Sequence, residues 1–266
     1  MMNNPQRKIS RRAAALGLAA AMYAADGASA QTPPPPPWRY AVVSLIGDKF
    51  TVVIRGQTTG SHLNPNTQRE LEVPNSLLDR TALAAAVETL RKSDPIGQPT
   101  PLLIEEPVLY EQQDRLFDKG FVRLPTALAE AARAAGNTHA LLLTKHRAAA
   151  EFRFLNTTDG QGSLRGVGFY VDQSVPVQEM GKLDVRGFLG TYVYIKATIV
   201  DLLSEAIVAE RTTAAGRIYT AADEKSKSSR PWDAIDNNEK LRALMKHLDV
   251  TVRKLLPEVI GAASKS

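Results

Sequence analysis

The chain has 266 residues, of which 33 are basic and 28 acidic, and it contains no cysteine. The lack of cysteine excludes disulfides, thiolate metal ligands and a lipid-carrying cysteine. The formal net charge of +5 is small for this length, and the basic residues do not gather into the stripe that a nucleic-acid footprint requires.

The first 30 residues have the order of a secretory signal peptide. Basic residues at 7, 8, 11 and 12 precede a short apolar run at 13–25 and the small-residue site Ala28-Ser29-Ala30. This order predicts cleavage before Gln31 and a periplasmic location. Ser10-Arg11-Arg12 leaves both general and twin-arginine export open.

Three regions follow from this interpretation: a signal peptide at 1–30, a proline-rich linker at 31–37 and a single globular domain at 38–266. Without residues 1–30, which hold four basic residues and one acidic residue, the net charge falls to +2. The linker contains five consecutive prolines, which favour a stiff extended spacer. No later segment is apolar for long enough to predict a stable membrane anchor.

The longest strand-like segment is residues 190–219. Apolar residues alternate with tyrosine, lysine and threonine up to Asp201, and the alternation resumes after Glu205. This pattern predicts a long β-ribbon of two antiparallel strands, with one well-buried face.

The remaining periodicity predicts a mixed set of elements around that ribbon. They are a hairpin from 40–46 and 50–54, a helix at 76–92 capped by Ser76 and Asp79, a strand at 102–104, a helix at 125–135, and strands at 140–144 and 166–171. A final amphipathic helix begins near Asp236, presents a leucine-rich stripe to the sheet and ends at Pro257.

The predicted fold class is therefore α/β or α+β. It has a mixed, mostly antiparallel sheet with a long β-ribbon, about three helices, and a C-terminal helix packed on the sheet. The segments YAVVSLI, GNTHALLLT and DLLSEAIVAE in this order resemble the periplasmic α/β domain shared by the TolB amino-terminal domain and several envelope-assembly lipoproteins. The resemblance implies an accessory or interaction role, and it supplies no catalytic residues.

No motif of catalytic or cofactor chemistry is present. The histidines, at 62, 139, 146 and 247, lack metal-ligand spacing, and there is no G-x-S-x-G elbow. The glycine-rich segment 160–166 leads into a strand rather than a helix, which argues against a phosphate loop. We therefore predict no catalytic residue, metal or cofactor.

A partner contact is predicted around residues 145–171. The polar loop 156–165 and the strand 166–171 carry residues that anchor interfaces, namely Lys145, His146, Arg147, Arg165, Phe169 and Tyr170. The alternative interpretation is structural, with glycines at a bulge and aromatic residues in the core.

The sequence favours a non-catalytic periplasmic binding or interaction protein of the bacterial cell envelope, with an envelope protein as partner and no nucleic acid. A periplasmic hydrolase and a small-ligand carrier remain as alternatives, and the oligomeric state is left open. A closed apolar pocket would favour the carrier, and a cleft with titratable groups in mutual reach would favour the enzyme.

Overall fold

The computed structural model describes residues 38–56, 66–93, 98–104, 106–154, 157–176, 186–219 and 230–265. The predicted signal peptide 1–30, the linker 31–37 and Asn156 of the predicted contact loop lie outside these residues.

The elements of the described residues are as follows. The strands are β1 Tyr40–Leu45, β2 Lys49–Ile54, β3 Thr67–Glu72, β4 Thr100–Leu102, β5 Phe117–Asp118, β6 Phe121–Val122, β7 His139–Lys145, β8 Arg147–Ala149, β9 Phe152–Arg153, β10 Thr158–Asp159, β11 Ser163–Pro176, β12 Arg186–Asp201 and β13 Ile207–Tyr219. The helices are α1 Leu77–Ser93, α2 Pro107–Glu111, α3 Thr126–Ala134 and α4 Asn237–Ala263.

Nine strands form one mixed sheet. β1 lies between β4 and β7, and β2 lies beside β11, all in parallel pairs. The pairings of β12 with β13, β11 and β7, of β2 with β3, and of β11 with β8 are antiparallel. The predicted mixed, mostly antiparallel sheet is confirmed.

β12 is the strand from which the sheet divides. One of its edges pairs with β13 from Leu189 to Val200. Because a strand has only two edges, its other partners share the opposite one: β11 pairs up to Tyr194, and β7 pairs from Ile195 onward. The sheet therefore splits at this point into a branch of β11, β2 and β3 and a branch of β7, β1 and β4.

The long ribbon is confirmed as β12 and β13, but β12 is buried on both faces rather than one. Val193 and Ile195 lie in the core under α1 and α4, whereas Tyr192 and Tyr194 lie in a second core with Phe152 on the opposite face. The central position of β12 explains the difference, since the segment around β8 to β10 covers its tyrosine face.

The C-terminal helix packs on the sheet as predicted. α4 contacts β12, β13 and α1, and its buried stripe includes Leu244, Leu248 and Val252. Its predicted end at Pro257 is wrong, because the helix continues to Ala263 with this proline inside. Buried residues on both sides of the proline hold the last turns against the core, which offsets the lost backbone hydrogen bond.

The predicted hairpin of 40–46 with 50–54 is also wrong. β1 and β2 do not pair: β1 belongs to the β7 branch, and β2 pairs with β3 and β11 in the other branch. The short connection at Gly47-Asp48 carries the chain across the split, so its brevity does not indicate a hairpin.

Within the described residues, no helix combines the length and apolar character that a membrane crossing needs.

Candidate functional site

A groove of about 800 Å³ opens where the sheet splits. Its lining includes residues at or just beyond the carboxyl ends of the three parallel strands β1, β4 and β7, namely Gly47, Ile104 and Lys145. Residues of β2, β3 and the start of β11 line it from the other branch. In open sheets, ligands bind in crevices beyond the carboxyl ends of parallel strands, at points where the strand connections diverge. The groove occupies such a point.

Asp79 lies where α1 meets the end of β1. Its Oδ1 accepts a hydrogen bond from the Ser44 hydroxyl at 2.5 Å and from the backbone N–H groups of Ile46 and Gly47, each at 3.1 Å. The predicted capping role of Ser76 and Asp79 is therefore wrong, because Asp79 binds β1 instead. Burial raises the pKa of Asp79, and its hydrogen bonds with Ser44 and the backbone oppose that rise.

Tyr110 and Gln113 form a wall of the groove. The Tyr110 hydroxyl donates to the carbonyl oxygen of Ile104 at 2.7 Å. Burial raises the pKa of Tyr110, and the negative charge of Asp79 raises it further. Gln113 Nε2 donates to the carbonyl oxygen of Tyr110, and Gln113 Oε1 accepts the backbone N–H of Lys145 at 2.6 Å. These bonds join the α2 region firmly to the end of β7.

The side chain of Lys145, at the end of β7, extends across the split to Gly166 of β11. A β-carbon on Gly166 would lie 2.9 Å from Lys145 Cδ, and one on Gly47 would lie 3.9 Å from Lys145 Nζ. Glycine at position 166 therefore leaves room for this side chain, whereas the distance at Gly47 is an ordinary contact. Burial lowers the pKa of Lys145. Among the described residues its ammonium group has no hydrogen-bond or ion-pair partner, so a partner from outside could bind it.

Three of the predicted contact residues meet in this groove. Lys145, Arg147 and Arg165 all line it. Arg165 also pairs with Asp114 at 2.7 Å, and Arg147 donates to the Ser163 hydroxyl at 3.1 Å. His146 is absent from the lining, and burial lowers its pKa. Its backbone instead joins the branches, because its carbonyl accepts the Gly166 N–H.

The other two predicted contact residues, Phe169 and Tyr170, are core residues with 0 % exposure. Phe169 packs against Phe50 and Trp232 on the α4 face, and Tyr170 stacks on Phe152 on the opposite face. A partner docked on the surface cannot reach these side chains, so we withdraw them from the contact surface.

The glycines of β11 have a structural explanation. A β-carbon on Gly168 would lie 1.9 Å from the carbonyl oxygen of Thr51 in β2, so the close backbone neighbour belongs to the same chain. The described part of the predicted contact loop is held by the fold as well. Arg55 binds Asp159 and Asp172, and Asn66 donates to the carbonyl of Gln161.

The groove presents both signs of charge. Its described lining holds five acidic residues (Asp48, Glu70, Glu72, Asp79 and Glu111) and four basic residues (Lys49, Lys145, Arg147 and Arg165). Histidine is absent from that lining, and within the described residues no group of three or more potential ligands could hold a metal ion. The arrangement can bind a polar ligand that carries groups of both signs.

The sequence prediction missed Gly47, Asp79, Tyr110 and Gln113. The fold brings them together from β1, α1 and the α2 region, and no local spacing links them. One signal was available: Gly47-Asp48 follows the apolar run YAVVSLI directly, as is typical of the end of a buried parallel strand.

No protein-family model matches the sequence, and no curated protein matches it. Solved structures that match this chain include a Xanthomonas campestris protein of the DUF330 family, at 11% identity and a TM-score of 0.38 over 86% of this chain and 87% of that one. A Helicobacter pylori homolog of neuraminyllactose-binding hemagglutinin matches at 9% identity and a TM-score of 0.39, over 86% and 94%.

A third similar structure is the PelC dodecamer from Paraburkholderia phytofirmans, at 13% identity and a TM-score of 0.29 over 85% of this chain and 87% of that one. All three proteins come from bacteria. None of the three is a TolB amino-terminal domain, so that resemblance stays a prediction.

Proposed function

We propose that this protein is an exported, non-catalytic binding protein of the bacterial cell envelope, and that an envelope protein docks into the groove at the split of the sheet. The observation that carries the proposal is the unpartnered ammonium group of Lys145 in a groove beyond the ends of three parallel strands. A positioned cation without an internal partner is a natural anchor for an anionic group of a ligand.

The lining favours a polar partner segment over an apolar one. Lys145, Arg147 and Arg165 can receive carboxylates, whereas Glu70 and Glu72 on β3 can receive amines or guanidinium groups. A partner segment with alternating charges would therefore match the groove, and like charges in the wrong register would be repelled.

The envelope location rests on the signal-type order of residues 1–30 and the proline-rich linker 31–37. The resemblance to the TolB amino-terminal domain points in the same direction, because it implies an accessory role in the periplasm. Amino-terminal sequencing of the periplasmic fraction tests this part of the proposal. A product beginning at Gln31 supports it, and a full-length cytoplasmic product contradicts it.

Capture of envelope proteins by the purified chain, with and without groove substitutions, tests the docking. Lys145→Met and Glu70→Gln remove one charge of each sign from the lining, and Arg91→Gln removes an exposed charge on α1 that is not in the lining. We expect both groove variants to lose a specific captured protein and Arg91→Gln to retain it, at unchanged melting temperatures. Equal capture by all three variants would show that the groove is not the docking site.

A small-ligand carrier is the second candidate, because a volume of about 800 Å³ lies within the range of small-molecule sites. Native mass spectrometry of the protein purified from its own periplasm separates the two. A carrier should show a bound small molecule that Lys145→Met loses, whereas a docking protein should show none and should still capture its partner. The hydrolase alternative remains a prediction from the sequence.

A further inference from the structure

A second depression, of about 350 Å³, lies between α4 and β13 and shares no lining residue with the groove. Three cationic residues line it: Arg217 from β13 and Lys246 and Lys254 from α4. Its lining among the described residues contains no acidic side chain. The depression is therefore a basic pocket, whereas the groove carries both signs of charge.

The register of the sheet brings these cations together. Arg217 pairs with Thr191 across β12 and β13, so the two residues lie side by side in the sheet. Thr191 Oγ1 and His247 Nδ1 form a hydrogen bond of 2.9 Å, which seats α4 over this point. Lys246 and Lys254 are separated by two four-residue steps along α4, so they lie on one side of the helix and border the pocket.

Two other cations of α4 are held by partners within the chain. Arg253 pairs with Asp249 and Glu88, and Lys240 donates to Asn237 and to the carbonyl of Ile235. Within the part of the chain that the structure describes, Arg217, Lys246 and Lys254 have no ion pair. Lys246 and Lys254 on α4 and Arg217 on β13 therefore border the pocket without an ion pair to a carboxylate of the described residues.

The buried His247 ring lies in the lining of the same pocket. Burial lowers its pKa to about 4, and the charges of Arg217 and Lys254 contribute to that decrease. The pocket therefore combines a concave shape, three cations from two elements and a local field that disfavours further positive charge.

We propose that this pocket binds a phosphate group. Phosphate carries up to two negative charges and several strong acceptor oxygens, which suit three cations better than a single carboxylate does. The Thr213 hydroxyl in the same lining adds a neutral donor. The phosphate belongs either to a soluble phosphate compound or to a lipid headgroup. This inference does not depend on the function proposed for the groove.

Titration of the purified protein with inorganic phosphate, followed by NMR of the His247 ring, tests the soluble source. A bound phosphate changes the electric field at this ring, so we expect a saturable change in the His247 ring resonances near neutral pH, where phosphate carries close to two negative charges. Lys254→Gln and Lys246→Gln should each weaken phosphate binding by about tenfold, as expected for the loss of one charge-assisted contact. Arg242→Gln is the matched control, an exposed cation on the same helix outside the pocket lining.

Cosedimentation with vesicles tests the lipid source. The vesicles contain phosphatidic acid in phosphatidylcholine, with phosphatidylcholine alone as the reference. Vesicle binding that Lys246→Gln and Lys254→Gln reduce and Arg242→Gln retains, without a response to inorganic phosphate, assigns the pocket to headgroups. The proposal is overturned if neither probe binds, or if Arg242→Gln weakens binding as much as the pocket variants do.

Discussion

Ser44 in β1 donates a 2.5 Å hydrogen bond to Asp79 near the start of α1. The same carboxylate oxygen accepts the backbone N–H groups of Ile46 and Gly47, so one side chain fixes both the end of β1 and the turn beyond it. Gly47 in turn borders Tyr110 and Lys145. The Ser44–Asp79 bond therefore supports the wall of the groove, although the Ser44 side chain itself is buried.

The first prediction concerns the pH dependence that Asp79 gives to stability. Burial raises its folded-state pKa above the ordinary value of 3.8, so the folded protein holds this proton more tightly than the unfolded chain does. The stabilisation is therefore complete below pH 3.8 and is lost as the pH rises through the raised folded value. Asp79→Asn removes the titrating group and retains an oxygen that can accept from Ser44.

Urea unfolding of the wild type and Asp79→Asn, from about pH 3 to about pH 8, measures this effect. We expect the free energy of unfolding of the wild type, minus that of the variant, to decrease as the pH rises. A difference that stays constant or increases over this range would show that burial does not disfavour the ionised form of the Asp79 carboxyl group.

Several parts of the fold could be predicted because they depend on local periodicity. The alternation in 190–219 indicated β12 and β13, and the leucine spacing after Asp236 indicated α4. The helix predicted at 125–135 is α3, Thr126–Ala134, and Gly136 just beyond its end has a φ of +77°. In these segments the interactions that decide the structure lie within a few residues of each other.

Strand pairing could not be predicted in the same way. β1 and β2 are separated by three residues, yet β1 pairs with β7 and β4 while β2 pairs with β11 and β3. The choice depends on which branch of the divided sheet buries each strand, and that is a property of the assembled core. The same cause explains which groove residues could be predicted. Lys145, Arg147 and Arg165 belong to one segment of the sequence and were predicted. Asp79 and Tyr110 reach the groove from distant elements and were not.

The second prediction concerns the packing of α4. Leu248 is fully buried in the core between α4 and the sheet, whereas Leu203 in the turn between β12 and β13 is 90 % exposed. Leu248→Ala should lower the free energy of unfolding by about 2–5 kcal/mol, because it removes buried methyl groups and leaves a cavity. The same substitution at Leu203 should change it by less than about 0.5 kcal/mol. Urea unfolding of both variants measures the contrast, and equal effects would contradict the buried position of α4.

The third prediction concerns the second core. A β-carbon on Gly190 in β12 would lie 2.3 Å from Cε1 of the buried Phe152 ring, whereas one on Gly261 in α4 meets no atom within 4 Å. Gly190→Ala should therefore destabilise the protein by about 1–3 kcal/mol through overpacking. Gly261→Ala should be neutral or stabilise it by up to about 1 kcal/mol, because alanine favours helix. Thermal unfolding compares them; if Gly190→Ala melts no earlier than Gly261→Ala, Phe152 does not pack on β12 as described.

The fourth prediction concerns acid stability and His247. Burial lowers the folded-state pKa of this ring from 6.5 to about 4, with a further contribution from the positive charges of Arg217 and Lys254. The unfolded chain therefore binds the proton more readily, so the stabilisation is complete above pH 6.5 and is lost as the pH falls toward 4. A decrease of this size in the pKa of His247 corresponds to a loss of about 3 kcal/mol in the free energy of unfolding between pH 6.5 and pH 4. His247→Asn places a polar atom near Thr191 but does not titrate there, so the free energy of unfolding of the wild type, minus that of the variant, should decrease by this amount on acidification. Urea unfolding in a buffer without phosphate measures the difference, and a value independent of pH would mean that the ring titrates equally in the folded and unfolded states.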